Sequence, residues 1–171
     1  MGFLRADTRA GRLHLGPKRW PMALGRAGAI HQDLKREGDD KTPLGRFWCE
    51  ALYVRQDRMD LPPCALPQHS ITQRDGWCDD TGAGAYNQHM TLPSPHAHET
   101  LMRDDGLYDA LIVLSHNRWP AVPGYGSAIF LHIARETNGS LAPTRGCLAL
   151  KKSDYLEMLS QLPARCAIHI V

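Results

Sequence analysis

The chain has 171 residues and a net charge of +2, with 43% hydrophobic and 22% charged residues, the ordinary composition of a soluble globular protein. This length predicts a single domain over residues 1–171, with one hydrophobic core. The charge is too small, and stretches of mixed basic and aromatic residues too few, for a nucleic-acid partner. No apolar run is long enough for a transmembrane segment, so none is expected.

Short apolar runs separated by turns predict most of the secondary structure. With 15 Gly and 12 Pro, the chain favours strands and loops over a helical bundle. Strands are predicted within residues 3–24, 46–53, 107–116, 128–131 and 167–171. One helix is predicted near the C terminus, with Ser153 as its N-cap and Pro163 as its end. The predicted fold class is α+β, mostly β.

The segment from Gly126 to Leu150 places a cysteine and a histidine next to two apolar runs. An apolar run that reads as a buried strand ends on His132, and a second run begins with Cys147. A thiol attacks a carbonyl only as the thiolate, so Cys147 needs a proton acceptor such as His132. The amides of Gly146 and Cys147 are candidates for stabilising an oxyanion. Arg145 adds a positive charge that would favour a thiolate or hold a substrate carboxylate.

The same two residues also have an inert interpretation. A single cysteine is more often a small buried residue than a nucleophile, and a histidine at a strand end is often only a satisfied polar group. Composition alone favours this second interpretation for Cys147 and His132. Further motifs in the chain decide between the two.

These motifs resemble the L,D-transpeptidase catalytic domain, also called the YkuD domain. The resemblance is carried first by an apolar strand, a His, a loop and a Ser/Thr-x-Gly-Cys-apolar signature, which is T-R-G-C here. The other matching stretches are G-R-A-G-A-I near residue 25, E-G-D-D-K-T-P-L-G-R-F (37–47), D-G-W-C-D-D (75–80), Tyr86-Asn87 and L-Y-D (107–109). The resemblance covers nearly the whole chain and points to a compact proteobacterial branch of the family.

The resemblance implies a β-sandwich of the YkuD type with a C-terminal helix, and an enzyme acting on peptidoglycan stem peptides. In that family the cysteine is acylated by one stem peptide, and the thioester is passed to an amine of a second. Cys147 would then be the nucleophile and His132 the general base. Thr144, Arg145 and Gly146 would be the signature residues before the nucleophile.

The signature departs from the usual family pattern at two positions. Arg145 stands where the family carries a second His, and Ala149 where it commonly carries Asn; the gap between His132 and Thr144 is also shorter. The Arg145 variant resembles a branch in Alpha- and Betaproteobacteria that links L-Ala at stem position one to diaminopimelate. This predicts 1,3-type crosslinks in place of 3,3-type ones.

The long segment from Asp75 to His98 has no clear period and is expected to flank the substrate cleft. Trp77 and Tyr86 are its candidate substrate contacts. The alternative for Trp77 is a core anchor for this loop.

No metal and no cofactor are expected. His96 and His98 would share one face of a strand, but two ligands without a third are weak support for a metal hydrolase. The five cysteines include no C-x-x-C pair, and an odd number leaves one thiol free in an oxidising compartment, for which Cys147 is the candidate. Whether Cys64 and Cys78 are bridged stays open.

Three other functions remain alternatives to a transpeptidase. Water in place of the acceptor amine would make the protein an L,D-carboxypeptidase, and the same fold would also suit a secreted peptidoglycan-targeting toxin or amidase. A silent peptidoglycan-binding module is the third. The N terminus shows no signal peptide, so the periplasm or cell envelope follows from the resemblance alone, and the cytoplasm stays open. A monomer is expected.

Overall fold

The computed structural model describes residues 2–171, which are mainly β-strands. The strands are β1 (Gly2–Asp7), β2 (Arg12–Leu15), β3 (Lys18–Pro21), β4 (Ala29–His31), β5 (Thr42–Val54), β6 (Gln68–Ser70), β7 (Asp75–Cys78), β8 (His89–Thr91), β9 (His98–Thr100), β10 (Ala110–Leu114), β11 (Phe130–Ile133), β12 (Glu136–Thr137), β13 (Ser140–Leu141), β14 (Leu148–Leu150) and β15 (Cys166–Ile170). A 3₁₀ turn covers Gln32–Leu34, and one α-helix, α1, covers Lys152–Leu159. The predicted mostly β fold class with a C-terminal helix is confirmed.

Most strands belong to one mixed sheet of ten strands in the order β14-β11-β10-β5-β15-β1-β2-β3, with β4 and β6 also paired to β5. The long strand β5 is its centre, because β10 and β15 run antiparallel along its two sides. The predicted neighbours β10 and β11 are antiparallel partners, with Leu111 opposite His132. Strand β14 then pairs with β11 in parallel, which brings the end of the T-R-G-C signature beside the histidine strand.

The two faces of this sheet carry different apolar clusters, because side chains alternate along a strand. Ile112 and Leu131 belong to the main core, whereas Leu111 and Phe130 belong to a second cluster. Helix α1 contributes its buried Tyr155 to the main core. The second cluster is the one that contains Cys147.

A small sheet in the order β8-β7-β9 supplies the other side of the second cluster. Its central Trp77 packs edge-on against Phe130, with ring centroids 5.2 Å apart. The packing of these two rings joins the long 75–98 segment to the strand that carries His132.

The C-terminal helix begins one residue before the predicted N-cap. Lys151 occupies the N-cap position without a side-chain capping bond, and Ser153 lies inside the first turn. The Ser153 prediction is therefore wrong, since a strong cap-forming residue does not always mark the helix start. Within residues 2–171, α1 falls well short of the length and apolar character needed to cross a membrane.

Candidate active site

Cys147 lies directly before β14 and is 9% exposed. Its Sγ donates to the carbonyl oxygen of Ala128 at 3.2 Å and accepts from the amide of Phe130 at 3.4 Å. Burial, together with the negative charge of Glu99, raises the pKa of the Cys147 thiol to about 12. In the resting site this residue is therefore a thiol, not a thiolate.

His132 lies in the middle of β11 and is buried. Its Nδ1 is 2.8 Å from the carbonyl oxygen of Ile133, which can only accept, so Nδ1 carries the proton and Nε2 keeps a free lone pair. Burial lowers the pKa of His132 to about 4. The imidazole is thus a neutral proton acceptor across the physiological pH range.

The fold brings the two predicted catalytic residues to one cavity of about 640 Å³. Cys147 contacts the backbone of Phe130, and His132 follows two residues later on the same face of β11. With a thiol pKa of about 12 and an imidazole pKa of about 4, the resting pair is neutral. A neutral imidazole of this kind can accept the proton of a thiol.

The signature residues before the cysteine form a tight turn. The Thr144 hydroxyl accepts from the Gly146 amide at 3.1 Å and donates to the Cys147 carbonyl at 2.6 Å. Gly146 has φ = +140°, and a Cβ there would be 3.0 Å from the Lys41 carbonyl oxygen. A side chain at position 146 would thus be strained and crowded.

Thr42 ties this turn to a second glycine. Its buried hydroxyl accepts from the Gly25 amide and donates to the Gly146 carbonyl, both at 2.9 Å. A Cβ on Gly25 would lie 2.3 Å from the Asp40 carbonyl oxygen. The start of β5 and the segment around Gly25 therefore hold the turn before Cys147 in place.

The cavity presents charges of both signs beside the thiol. Its basic lining residues are Lys35, Arg103, Arg135 and Arg145. Its acidic lining residues are Glu37, Asp40, Asp79 and Glu99. Such a lining suits a substrate that carries both carboxylate and ammonium groups.

Arg145 stands at the rim of this cavity, with 77% of its side chain exposed. Its Nε lies 3.4 Å from a carboxylate oxygen of Asp40, which is also paired with Arg26 at 2.5 Å. Because Asp40 already has the closer cation, the guanidinium of Arg145 remains available to an incoming carboxylate.

Glu99 and Tyr108 link the acidic wall to the histidine. The Tyr108 hydroxyl donates to Glu99, and the Tyr108 ring packs edge-on against His132 with centroids 5.3 Å apart. Burial raises the pKa of Glu99. Burial and the charge of Glu37 raise the pKa of Asp79, whose Oδ1 has no hydrogen-bond partner among the described residues.

Trp77 and Tyr86 lie behind the cavity and are not part of its lining. Both are buried, at 1% and 2% exposure. Trp77 Nε1 donates to Asn87 Oδ1 at 3.0 Å, and the same oxygen accepts from the Ala128 amide at 3.1 Å. Tyr86 donates to the cavity residue Glu37. These two aromatic residues therefore support wall residues that do face the cavity.

The two histidines considered as metal ligands and the two cysteines considered for a disulfide each have different neighbours. His96 Nδ1 is 2.9 Å from Asp80, whereas His98 Nδ1 is 2.7 Å from the His96 carbonyl oxygen. Cys64 packs against the main core and Cys78 lies in β7; all five cysteines are free thiols.

Sequence reasoning missed Thr42, Glu99 and Asn87. Thr42 sits within the K-T-P-L-G stretch of the resemblance, and Asn87 within its Tyr86-Asn87 pair, so a signal existed for both, though not for their roles. No motif around Glu99 in the sequence indicates a role in the site. Its effect on the pKa of Cys147 depends on the packing of β9 beside β7, which only the fold creates.

Residues 8–170 match the family model described as the YkuD L,D-transpeptidase catalytic domain. The chain therefore belongs to this family. The comparison with curated proteins gives no match.

Three solved structures align with the chain at low sequence identity. An L,D-transpeptidase from Mycobacterium smegmatis aligns with a TM-score of 0.50 and 12% identity, over 99% of this chain and 58% of that one. L,D-transpeptidase 1 from Mycobacterium tuberculosis aligns with a TM-score of 0.44 and 14% identity, over 99% of this chain and 58% of that one. The helical cell shape determining protein Pgp2 from Campylobacter jejuni aligns with a TM-score of 0.42 and 16% identity, over 99% of this chain and 46% of that one. The chain thus spans about half the length of these proteins, and the likeness to the first confirms the predicted YkuD-like fold.

Proposed function

We propose that this domain is a cysteine L,D-transpeptidase that crosslinks peptidoglycan stem peptides through a thioester on Cys147. The observation that carries the proposal is that a buried thiol and a neutral imidazole line one cavity of a YkuD-family domain. The T-R-G-C turn that presents the thiol supports the same assignment.

The first half of the reaction acylates the enzyme. Cys147 Sγ leaves its bond to the Ala128 carbonyl and attacks the carbonyl that follows an L-centre of the donor stem, while His132 Nε2 takes its proton. The tetrahedral intermediate collapses with loss of the part of the stem that begins at the following D-residue, whose amine receives that proton from His132. The product is a thioester between Cys147 and the shortened donor.

The second half transfers the acyl group. The amine of an acceptor stem attacks the thioester carbonyl and gives a proton to His132, which returns it to the leaving thiolate of Cys147. A new amide joins the two stems, and the resting thiol and neutral imidazole are restored. If water replaced the amine, the product would be a trimmed stem, as in an L,D-carboxypeptidase.

The amide of Cys147 is the proposed first donor to the oxyanion. It has no hydrogen-bond partner among the described residues, whereas the Gly146 amide is bonded to the Thr144 hydroxyl. Gly146 would join the Cys147 amide only when its bond to Thr144 opens. One preorganised oxyanion-hole donor contributes about 3–4 kcal/mol to catalysis in other enzymes.

The charges of the cavity support a zwitterionic peptide as substrate. Arg145 would hold a stem carboxylate, and Asp79 and Glu99 would face an ammonium group such as the acceptor amine. We propose the 1,3-type crosslink between L-Ala and diaminopimelate, in line with the Arg145 form of the signature. A stem-peptide substrate also places the domain in the cell envelope.

Trapping the thioester tests the proposal. Purified protein is mixed with a diaminopimelate-containing muropeptide that has a terminal D-residue, and its intact mass is measured. We expect an adduct equal to the part of the donor that ends at L-Ala of position one, with the remainder of the stem lost, mapped to the peptide containing Cys147. Cys147→Ala should form none, whereas Cys78→Ala, which removes another buried thiol, should form it normally. An adduct that survives in Cys147→Ala would refute the assignment.

A further inference from the structure

Three of the five cysteines lie together in the main core, away from the catalytic cavity. Cys49 is on β5, Cys166 begins β15, and Cys64 lies in the loop between β5 and β6. Cys49 and Cys166 are 6% and 1% exposed, and Cys64 is partly buried against the same cluster. Cys147 belongs to the second cluster on the opposite face of the sheet.

The strand register puts two of these thiols directly opposite each other. Strands β5 and β15 are antiparallel, with Ile168 opposite Phe47 and Ala167 opposite Trp48. One further step along the same register places Cys166 opposite Cys49. Facing residues in antiparallel strands have Cα atoms about 4.5–5.5 Å apart. This separation lies within the range of roughly 4.4–6.8 Å that a disulfide bridges.

The two side chains also point to the same face. Phe47 and Ile168, each two residues away along its strand, belong to the main core with Cys49 and Cys166. The two thiols also influence each other's ionisation, because Cys166 raises the pKa of Cys49 and Cys49 lowers the pKa of Cys166. Cys64 lies near enough to interact with Cys49, but it sits in a loop outside the strand register.

We propose that Cys49 and Cys166 are a disulfide-forming pair that crosslinks β5 to β15 when the chain folds in an oxidising compartment. One thiolate attacks a small-molecule or protein disulfide and releases one thiol. The second thiolate then attacks the mixed disulfide and releases the other thiol. The pair loses two protons, and its two electrons reside on the reduced oxidant. Because both thiols are buried in the folded protein, exchange takes place while the strands are still open to solvent.

This bridge would stabilise the domain without consuming the nucleophile. Cys49 and Cys166 are far apart in sequence, so the bond closes a long loop and restricts the unfolded chain. Cys147, on the other face of the sheet, stays a free thiol. The proposal does not depend on transpeptidase activity, since the link is detected by mass alone.

Peptide mapping of the refolded protein tests this inference. The full chain is unfolded with reductant, refolded in a mixture of reduced and oxidised glutathione, alkylated and digested. We expect one peptide pair joined through Cys49 and Cys166, lighter by two hydrogens, with Cys147 and Cys78 alkylated. Refolded protein in which Cys49 and Cys166 are both alkylated would overturn the proposal, and so would a link from either one to Cys64.

Thermal unfolding gives a second readout. The oxidised protein should unfold several degrees above the same protein after reduction. Cys166→Ala should abolish that difference, whereas the matched control Cys78→Ala, also at a fully buried thiol, should keep it. An equal difference in Cys166→Ala would contradict the pairing. The wild-type peptide map needs no variant, so a variant that fails to fold leaves the test intact.

Discussion

The thiol of Cys147 donates to the carbonyl oxygen of Ala128 at 3.2 Å. Ala128 has φ = +51°, an unusual conformation for a residue with a side chain, and its amide donates to the buried Asn87 side chain at 3.1 Å. A residue with an unusual backbone conformation thus accepts the hydrogen bond of the Cys147 thiol. Burial of the sulfur and the charge of Glu99 raise the pKa of Cys147 to about 12, so this cysteine is protonated at physiological pH.

The first prediction concerns the reactivity of this thiol. The negative charge of Glu99 raises the pKa of Cys147, so Glu99→Gln should lower that pKa. At a fixed pH below about 12, more thiolate is then present, and alkylation of Cys147 by iodoacetamide should accelerate roughly three- to tenfold. The rate is read by mass spectrometry of the Cys147 peptide.

Glu136→Gln is the matched control for Glu99→Gln. Glu136 lies on β12 and is exposed, with a 3.6 Å ion pair to Lys151. Its replacement should leave the alkylation rate of Cys147 unchanged. Equal rates in the wild type and Glu99→Gln would show that Glu99 does not control the thiol.

The second prediction concerns the pH dependence of acylation. Burial lowers the pKa of His132 to about 4, so its neutral, proton-accepting form is lost only below that pH. The rate of Cys147 acylation should therefore hold as pH falls through 6.5 and drop near 4. His132→Ala should lower the rate by about 10²–10⁴-fold. His116→Gln, at a buried histidine outside the cavity, should keep it. A fall in the acylation rate near pH 6.5 would contradict the role of His132 as a buried neutral base.

The third prediction concerns the turn before the nucleophile. Gly146→Ala adds a Cβ at φ = +140° and 3.0 Å from the Lys41 carbonyl oxygen, so the turn must shift. We expect a loss of about 1–3 kcal/mol in unfolding free energy and a large loss of acylation. Gly84→Ala is the control, because no atom lies within 4 Å of its added Cβ. Full acylation by Gly146→Ala would refute the role given to this turn.

The fourth prediction concerns acid stability. Burial lowers the pKa of both His116 and His132 from 6.5 to about 4. The unfolded chain therefore binds more protons, so each histidine contributes stability that is complete above pH 6.5 and is lost as pH falls towards 4. The loss is about 3 kcal/mol for each histidine.

Urea unfolding of the wild type and His116→Gln between pH 7.5 and 4.5 measures this loss. The raised pKa values of Asp79 and Glu99 act in the opposite direction, so the comparison between the two proteins isolates the histidine. The variant should lose less stability on acidification. If the unfolding free energies of the two proteins changed equally with pH, a lowered pKa for the buried His116 would be contradicted.

Much of the site was predictable because its residues adjoin strands. The apolar runs around His132 and Cys147 drew attention to both residues, and the succession of β10 and β11 along the chain made these strands plausible neighbours. The resemblance carried by the T-R-G-C signature together with the other motifs predicted the family that the chain belongs to.

Other features depend on contacts that local sequence cannot reveal. Thr42 and Gly146 are 104 positions apart, yet one hydroxyl joins them. The location of Trp77 was undecided because an aromatic residue in a long loop suits either a cleft or a core. Its edge-on packing against Phe130 and its bond to Asn87 place it in the core. Only the folded chain brings these partners together.

Incubation with muropeptides tests the central claim most directly. Purified protein and its Cys147→Ala form are each incubated with diaminopimelate-containing muropeptides, and the products are analysed by liquid chromatography and mass spectrometry. We predict that only the native protein forms dimers, and that fragmentation locates the new bond between L-Ala at position one and diaminopimelate. Release of a terminal D-residue without dimers would make the domain a carboxypeptidase. Unchanged muropeptides, or dimers formed by Cys147→Ala, would contradict a cysteine transpeptidase.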